Sequence, residues 1–294
     1  MKTIAAIATA AVALVSTGGS TVHVGSQPTG LTAGAGSLWS ANSAGKSVSR
    51  ISPTARSVTA TITVGATPAS IGFAAGAVWA GDFTAKALYR IDPATNQVVA
   101  TIPLNGPVVG IVGASDGTVW ASEYSAGTVA HIDPATNTVV GRVTVGGKAE
   151  ALAFAAGRLW VTNGGGYVSE VNPATGAQLK KVKVARDVDA IAATPHALWV
   201  TTYYAGIVAR IDPVHAKVTL RTRIPGNASG IAVTAGSVWV SDAGFSQVDR
   251  LTPTTGTIVK RYHVGTTPRD LVRVGTDLWV VEQGSNDVRR IPLP

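Results

Sequence analysis

Residues 117–146 read GTVWASEYSAGTVAHIDPATNTVVGRVTVG, and residues 110–112 just before them read Gly110-Ile111-Val112. Within this stretch, short runs of Val, Ile, Thr and Trp are separated by turn residues, which is the pattern of strands that fit a pleated, half-buried surface. Four strands are predicted, over 110–112, 118–121, 128–132 and 138–143. Asp133-Pro134-Ala135-Thr136-Asn137 joins the last two. Asp caps such a turn, Pro presets φ near −65°, and Asn tolerates the left-handed position. No stretch of the chain shows helical periodicity.

The unit recurs. The seven tryptophans, Trp39, Trp79, Trp120, Trp160, Trp199, Trp239 and Trp279, are spaced by 40, 41, 40, 39, 40 and 40 residues. Twelve or thirteen residues after each of the first six comes a turn residue followed by proline: Ser52, Asp92, Asp133, Asn172, Asp212 and Thr252. Gly36, Gly76, Gly117, Gly157 and Gly236 serve the hairpin before the Trp strand in five of the seven units. A four-stranded unit of some 40 residues, repeated seven times, predicts an all-β, seven-bladed β-propeller of antiparallel blades. The last unit reaches Ile291-Pro292 with three strands, and Thr21-Val22-His23-Val24-Gly25 resembles fourth strands such as Val143-Thr144-Val145-Gly146. The N-terminal strand is therefore expected to complete blade seven, which removes two sheet edges. Each Trp, always in a second strand, is expected to pack between blades rather than stack on nucleic-acid bases.

Composition narrows the function classes. The 294 residues are 46% hydrophobic and 14% charged, which excludes a disordered chain or a long coiled coil. Without cysteine there is no disulfide framework, thiol nucleophile or cysteine zinc site. Met1-Lys2, an apolar run over 4–15 and the small polar stretch 16–20 have the order of a secretory signal peptide. A run of twelve residues is too short to span ~30 Å of hydrocarbon. Residues 1–19 are thus read as a signal peptide and 20–294 as the propeller, a secreted monomer without a transmembrane segment. Lys and Arg number 24 against 16 Asp and Glu, a net charge of +8. The basic runs Lys181/Lys183, Arg221/Arg223 and Lys260/Arg261 fall on outer strands, where Lys discourages edge-to-edge pairing. A weak affinity for a polyanion, nucleic acid or cell-wall polymer, is a further expectation.

Trp160-Val161-Thr162-Asn163, followed by Pro173-Ala174-Thr175-Gly176, resembles the YVTN propeller repeat with Trp in place of Tyr. That resemblance spans all seven units and implies the propeller fold of binding and surface proteins. The units are also similar to those of the streptogramin B (virginiamycin B) lyases, which are seven-bladed and open a cyclic lactone by elimination with a bound magnesium ion. Trp120-Ala121-Ser122-Glu123 and Trp279-Val280-Val281-Glu282 look like that family's Trp-Phe-Thr-Glu strand ends, which makes Glu282 and Glu123 the catalytic candidates under this resemblance. The family's Pro-His-Gly-Ile entry to the inner strand has no histidine here: the corresponding turns read Pro28-Thr29-Gly30-Leu31, Pro68-Ala69-Ser70-Ile71 and Pro268-Arg269-Asp270-Leu271.

Loops entering the inner strand and leaving the second strand share one propeller face, around the channel mouth. Three residues beyond each Trp lie Asn42, Asp82, Glu123, Asn163, Thr202, Asp242 and Glu282. Charge at the inner-strand entries is confined to blades four, five and seven, with Lys148 and Glu150, then Arg186, Asp187 and Asp189, then Arg269 and Asp270. Aromatic residues Phe83, Tyr124, Tyr203, Tyr204 and Phe245 join them. A concave mouth with a few polar groups and aromatic walls is the usual form of a ligand site. The expected ligand set is Glu150, Asp187, Asp189, Tyr203, Tyr204, Arg269, Asp270 and Glu282, for a small polar ligand or a protein or cell-wall partner. A Ca2+ or Mg2+ ion on its carboxylates is a further expectation, although their spacing matches no calcium-loop motif. Arg186-Asp187 and Arg269-Asp270 read equally well as local ion pairs. No two of the five histidines share a metal-ligand spacing, so no histidine metal site is expected. Gly113-Ala114-Ser115-Asp116-Gly117 has the form of a nucleophile elbow, but a Trp strand follows where that motif needs a helix, so it reads as a hairpin.

Overall fold

The computed structural model describes residues 14–16 and 19–293. Most of the expected leader (1–13, 17 and 18) thus lies outside the described residues. The described residues from 19 to 293 form seven antiparallel sheets, each with its first strand innermost. Blade four is representative, with strands Ala149–Ala155, Arg158–Asn163, Tyr167–Val171 and Gln178–Lys183. First strands of neighbouring blades pack on one another all the way round, blade seven on blade one included, so the sheets close into a ring. Closure follows the sequence expectation. Thr21–His23 pairs antiparallel with Asp287–Pro292, Val22 opposite Val288. Leu14–Ser16 adds in parallel to the outer strand Ile258–His263 of blade six. No helix among the described residues is long and apolar enough to cross a membrane.

Burial explains the strand sequences. Second strands lie between two neighbouring blades and are almost wholly buried, so the residues around Trp are apolar, while buried Thr, Ser or Asp close the strand. Fourth strands alternate, as Lys217–Arg223 does, because one face meets water. Every Trp is buried against the following blade: Trp39 packs with Ile71, Val78, Ala80 and Ile91, and Trp279 with Leu31, Leu38 and Ile51 across the closure. At ~150–250 Å² each and ~25 cal/mol/Å², one Trp contributes roughly 4–6 kcal/mol before its entropic cost. The core is thus a set of wedges between blades.

A second repeated contact goes beyond the sequence reading. Directly across from each Trp, on the third strand, stand Arg50, Arg90, His131, Glu170, Arg210, Arg250 and Arg290. The guanidinium of Arg50 lies 5.0 Å from the Trp39 ring centre. It also donates to the Pro93 carbonyl at 2.8 Å and to Asn96 Oδ1 at 3.0 Å, in the turn of the next blade. Arg90 repeats this on Pro134 and Asn137. The Asp-Pro turn is therefore also a docking point between blades. In blade three His131 stacks on Trp120 at 4.1 Å instead.

Residues 113–117 form the expected hairpin, with Ala114 N–H bonded to the Thr118 carbonyl at 2.9 Å. The extra residue of this hairpin accounts for the 41-residue spacing. Lys180, Lys181, Lys183, Arg221 and Arg223 are exposed on outer strands, as expected.

Candidate functional site

The channel mouth is a cavity of about 640 Å³. Its walls are two rings with one residue per blade. The upper ring is Thr29, Ala69, Val109, Glu150, Asp189, Ser229 and Arg269; the residue after each supplies the lower ring, Asp270 among them. Beneath them Ile71, Ile111, Leu152, Ile191 and Ile231 form an apolar floor.

A strand normally points successive side chains to opposite faces, yet here two in a row face the channel. The pairing register supplies the reason. The first strand is irregular against the second at this point in six blades, between Ala149 and Leu152, Val188 and Ile191, and Pro268 and Leu271 among others. Such bulges re-aim side chains. Hydroxyls on the second strands hold the bulged backbone. Thr162 Oγ1 accepts from Ala151 N–H at 2.8 Å and donates to the carbonyl of Asp189, in the next blade, at 2.9 Å. Thr201 does the same for Ala190 and Ser229, and Ser241 donates to the Arg269 carbonyl. These positioning residues were missed from the sequence, although Ser or Thr two residues after Trp in blades three to six is a visible signal. Gly110 and Gly230 belong to the lower ring because a Cβ there would lie 2.1 Å from the neighbouring blade's Glu150 and Arg269 carbonyl oxygens.

The expected site residues separate into three groups. Glu150, Asp189, Arg269 and Asp270 line the cavity together. Asp187, Tyr203 and Tyr204 are not among its lining residues. Tyr203 lies under the Arg269 guanidinium at 5.1 Å and edge-on to the exposed Tyr204, and Asp187 pairs with Arg186 at 3.8 Å. The third group, Glu282 and Glu123, is fully buried outside the cavity. Glu282 accepts from Gly265 N–H at 2.7 Å and pairs with Arg289. Glu123 accepts from Asn105 N–H at 2.7 Å and from Thr128, and pairs with Arg142 at 3.1 Å. Asp82 and Asp242, at the same repeat position, likewise accept loop N–H groups. This position fastens the inter-blade loop to the blade.

Within the cavity, Arg269 and Asp270 do not pair with each other. Arg269 Nε donates to Gln283 Oε1 at 2.9 Å, and Asp270 accepts from the N–H groups of Leu31 and Leu271 at 2.9 and 2.8 Å. Glu150 and Asp189 make no side-chain hydrogen bond with a described residue, and their nearest opposite charges are Lys148 and Arg269. Burial raises the Glu150 carboxyl to about 8, helped by Asp189 and Asp187 and opposed by Lys148. Burial also raises Asp189, opposed by Arg269, and brings Asp270 to about 6. Among the described residues no three His, Asp or Glu side chains form a group that could hold a metal ion. The expected Ca2+ or Mg2+ therefore finds no ligand set here.

The raised carboxyl has a consequence for stability. Its folded pKa of about 8 exceeds that of an unfolded glutamate, so its contribution is fully present below about pH 4.5 and lost as pH rises through 8. Glu150→Gln is expected to match the parent in acid and to exceed it by on the order of a few kcal/mol above pH 8. Urea unfolding at pH 5 and pH 9 checks this; equal differences at both pH values would contradict it.

No family model and no curated protein sequence matches this chain. Solved structures do. Hydrazine synthase from Kuenenia stuttgartiensis superposes with a TM-score of 0.80 at 16% identity, over 91% of this chain and 96% of that one. Selenomethionine-substituted virginiamycin B lyase from Staphylococcus aureus gives 0.80 at 16% identity, over 94% and 99%. The structure of U3-55K gives 0.80 at 16% identity, over 91% and 95%. The chain shares the seven-bladed propeller with all three and is similar in structure to virginiamycin B lyase. At this identity the likeness is one of fold, and a single fold carries unrelated activities.

Proposed function

We propose that this protein is an exported, non-catalytic propeller that binds a small ligand in the cavity at its channel mouth. One observation carries the reading: at fourteen ring positions, two per blade, charge is confined to blades four, five and seven, while the others hold small or apolar residues. A purely solvated rim has no reason to build that asymmetry into bulged, partly buried positions. The volume falls within the ~300–1,000 Å³ of small-molecule sites. Export rests on the leader-like first nineteen residues.

The test uses a blocked mouth. Ala69→Trp fills the upper ring without touching the wedges between blades. Ligand-observed NMR of the parent against a small-molecule fragment set is expected to find binders that the Ala69→Trp protein no longer recognises. Binders that ignore the substitution would place recognition elsewhere and overturn the reading.

A second reading, a lactone-opening lyase, is favoured by a carboxyl of raised pKa inside the cavity. Incubation with a type B streptogramin and Mg2+, followed by chromatography with mass detection, separates the two. Elimination yields a linear isomer of unchanged mass, whereas hydrolysis adds one water. The non-catalytic reading expects neither product, and either one that disappears with Glu150→Gln establishes the enzyme.

A further inference from the structure

The lining of the mouth has a chemistry opposite to that of the whole molecule. The protein carries a net +8, yet the charged groups in its cavity are three carboxyls and one guanidinium. Two of the four are already engaged: Arg269 by Gln283 and Tyr203, Asp270 by two backbone N–H groups. Glu150 and Asp189, on adjacent blades, are left as acceptors without a described hydrogen-bond donor. Both are only half-buried, so their acceptor oxygens stay open to whatever enters the mouth. Both are held in place by the Thr162 hydroxyl, which accepts from Ala151 N–H beside the first and donates to the carbonyl of the second.

The adjoining wall, on blades two and three, is different. Ala69, Ile71, Val109 and Ile111 present hydrocarbon, and Phe83 and Tyr124, with ring centres 6.1 Å apart, extend it upward. A ligand that satisfies both walls has one cationic, hydrogen-donating end and one apolar body.

We propose that the cavity receives an amphipathic organic amine, its ammonium group between Glu150 and Asp189 and its apolar body against blades two and three. The proposal rests on the mouth being the ligand site. The charged groups facing this pair are Lys148 and Asp187 at the rim, Arg269 beside Asp189, and Asp270 from blade seven. Lys148 is held over the Tyr124 ring at 5.3 Å, at the entrance. Near pH 7 the empty cavity holds Glu150 protonated. Arrival of the ammonium favours the carboxylate, so the neutral carboxyl releases one proton to solvent and the ammonium–carboxylate pair replaces it.

Three probes with one ring system test this on the full protein: 2-naphthylmethylamine, 2-naphthalenemethanol and 2-naphthoate. Calorimetry at pH 7 in phosphate and in Tris measures affinity and, from the difference in apparent heat, the protons exchanged. The amine is expected to bind about ten-fold or more tighter than the alcohol, the order of one charge-assisted hydrogen bond, with naphthoate weakest. It is also expected to release protons, and Glu150→Gln is expected to abolish the release and weaken the amine alone. Asp189→Asn should weaken the amine without abolishing the release. Should either variant fail to unfold cooperatively, the probe series and the two-buffer heats on the parent still decide. Amine and alcohol of equal affinity, both displaced by Ala69→Trp, would overturn the cation inference and leave the mouth as the ligand site. No binding of any probe, together with no fragment sensitive to Ala69→Trp, would remove both.

Discussion

Deletion of residues 21–24 is expected to lower the unfolding free energy by roughly 3–6 kcal/mol, the cost of exposing two valines at ~1.5–3 kcal/mol each. Val22 and Val24 are buried with Trp279, Val281 and Val288 on one side and Leu31, Leu38 and Ile51 on the other. The strand therefore belongs to the wedge between the last blade and the first. Its backbone matters as well: Val24 N–H bonds to the Asn286 carbonyl at 2.9 Å, and without the strand Asp287–Pro292 becomes an open edge. Urea unfolding followed by tryptophan emission measures the loss, because all seven indoles are buried and report separation of blades. Hydrogen exchange should show protection falling first in residues 287–292. An unchanged urea midpoint with intact protection would mean that the other six wedges hold the ring without its clasp.

The second large effect concerns a carboxylate that the sequence offered as catalytic. Arg289→Ala is expected to cost about 3–5 kcal/mol, the range for stripping the partner from a buried ion pair. Glu282 is fully buried and Arg289 mostly so, with Nε on Oε1 and Nη2 3.3 Å from Oε2. Once the guanidinium is gone, only Gly265 N–H remains on the carboxylate among the described residues. Adding Glu282→Gln to Arg289→Ala should recover much of the loss, since a neutral amide at that position no longer needs a counter-charge. The equivalent change at blade three, Arg142→Ala, is expected to cost less because Arg142 is more exposed and Thr128 also holds Glu123. Urea midpoints of the four proteins decide the matter. A loss below about 1 kcal/mol for Arg289→Ala, the value of an exposed pair, would show that Glu282 is not fastened as the geometry implies.

The fold was readable because one residue type marks the beat. A Trp in every second strand is the largest object in each wedge, and its size leaves little freedom in the spacing. Turn chemistry at Asp92-Pro93 and Asp133-Pro134 set the third-to-fourth connection, and the likeness of 21–25 to other fourth strands exposed the clasp. Glu150, Asp189, Arg269 and Asp270 were readable for a related reason: seven aligned copies display any copy that departs from the small residues of its siblings. The fate of Glu282 and Glu123 was not readable. Their partners stand on different strands, Arg289 on a third and Arg142 on a fourth, so no repeat-wide pattern announces that these carboxylates are already held. For Thr162, Thr201 and Ser241 the repeat displays the hydroxyl, two residues after Trp, but not its partner, because the carbonyl each one bonds to lies in the next blade.

The bulge at the entry of six of the seven inner strands separates two duties that most proteins load onto the same side chains. Residues such as Trp160 and Val161 hold blades together, while Glu150 and its six counterparts face the channel and take no part in those wedges. Each blade thus contributes one independently replaceable letter to a seven-letter word read by whatever enters the mouth. A lineage carrying this ring can exchange Thr29, Ala69, Val109 or Ser229 one at a time, trying new ligands while the architecture stays constant. The same independence makes the scaffold a natural starting point for a designed receptor.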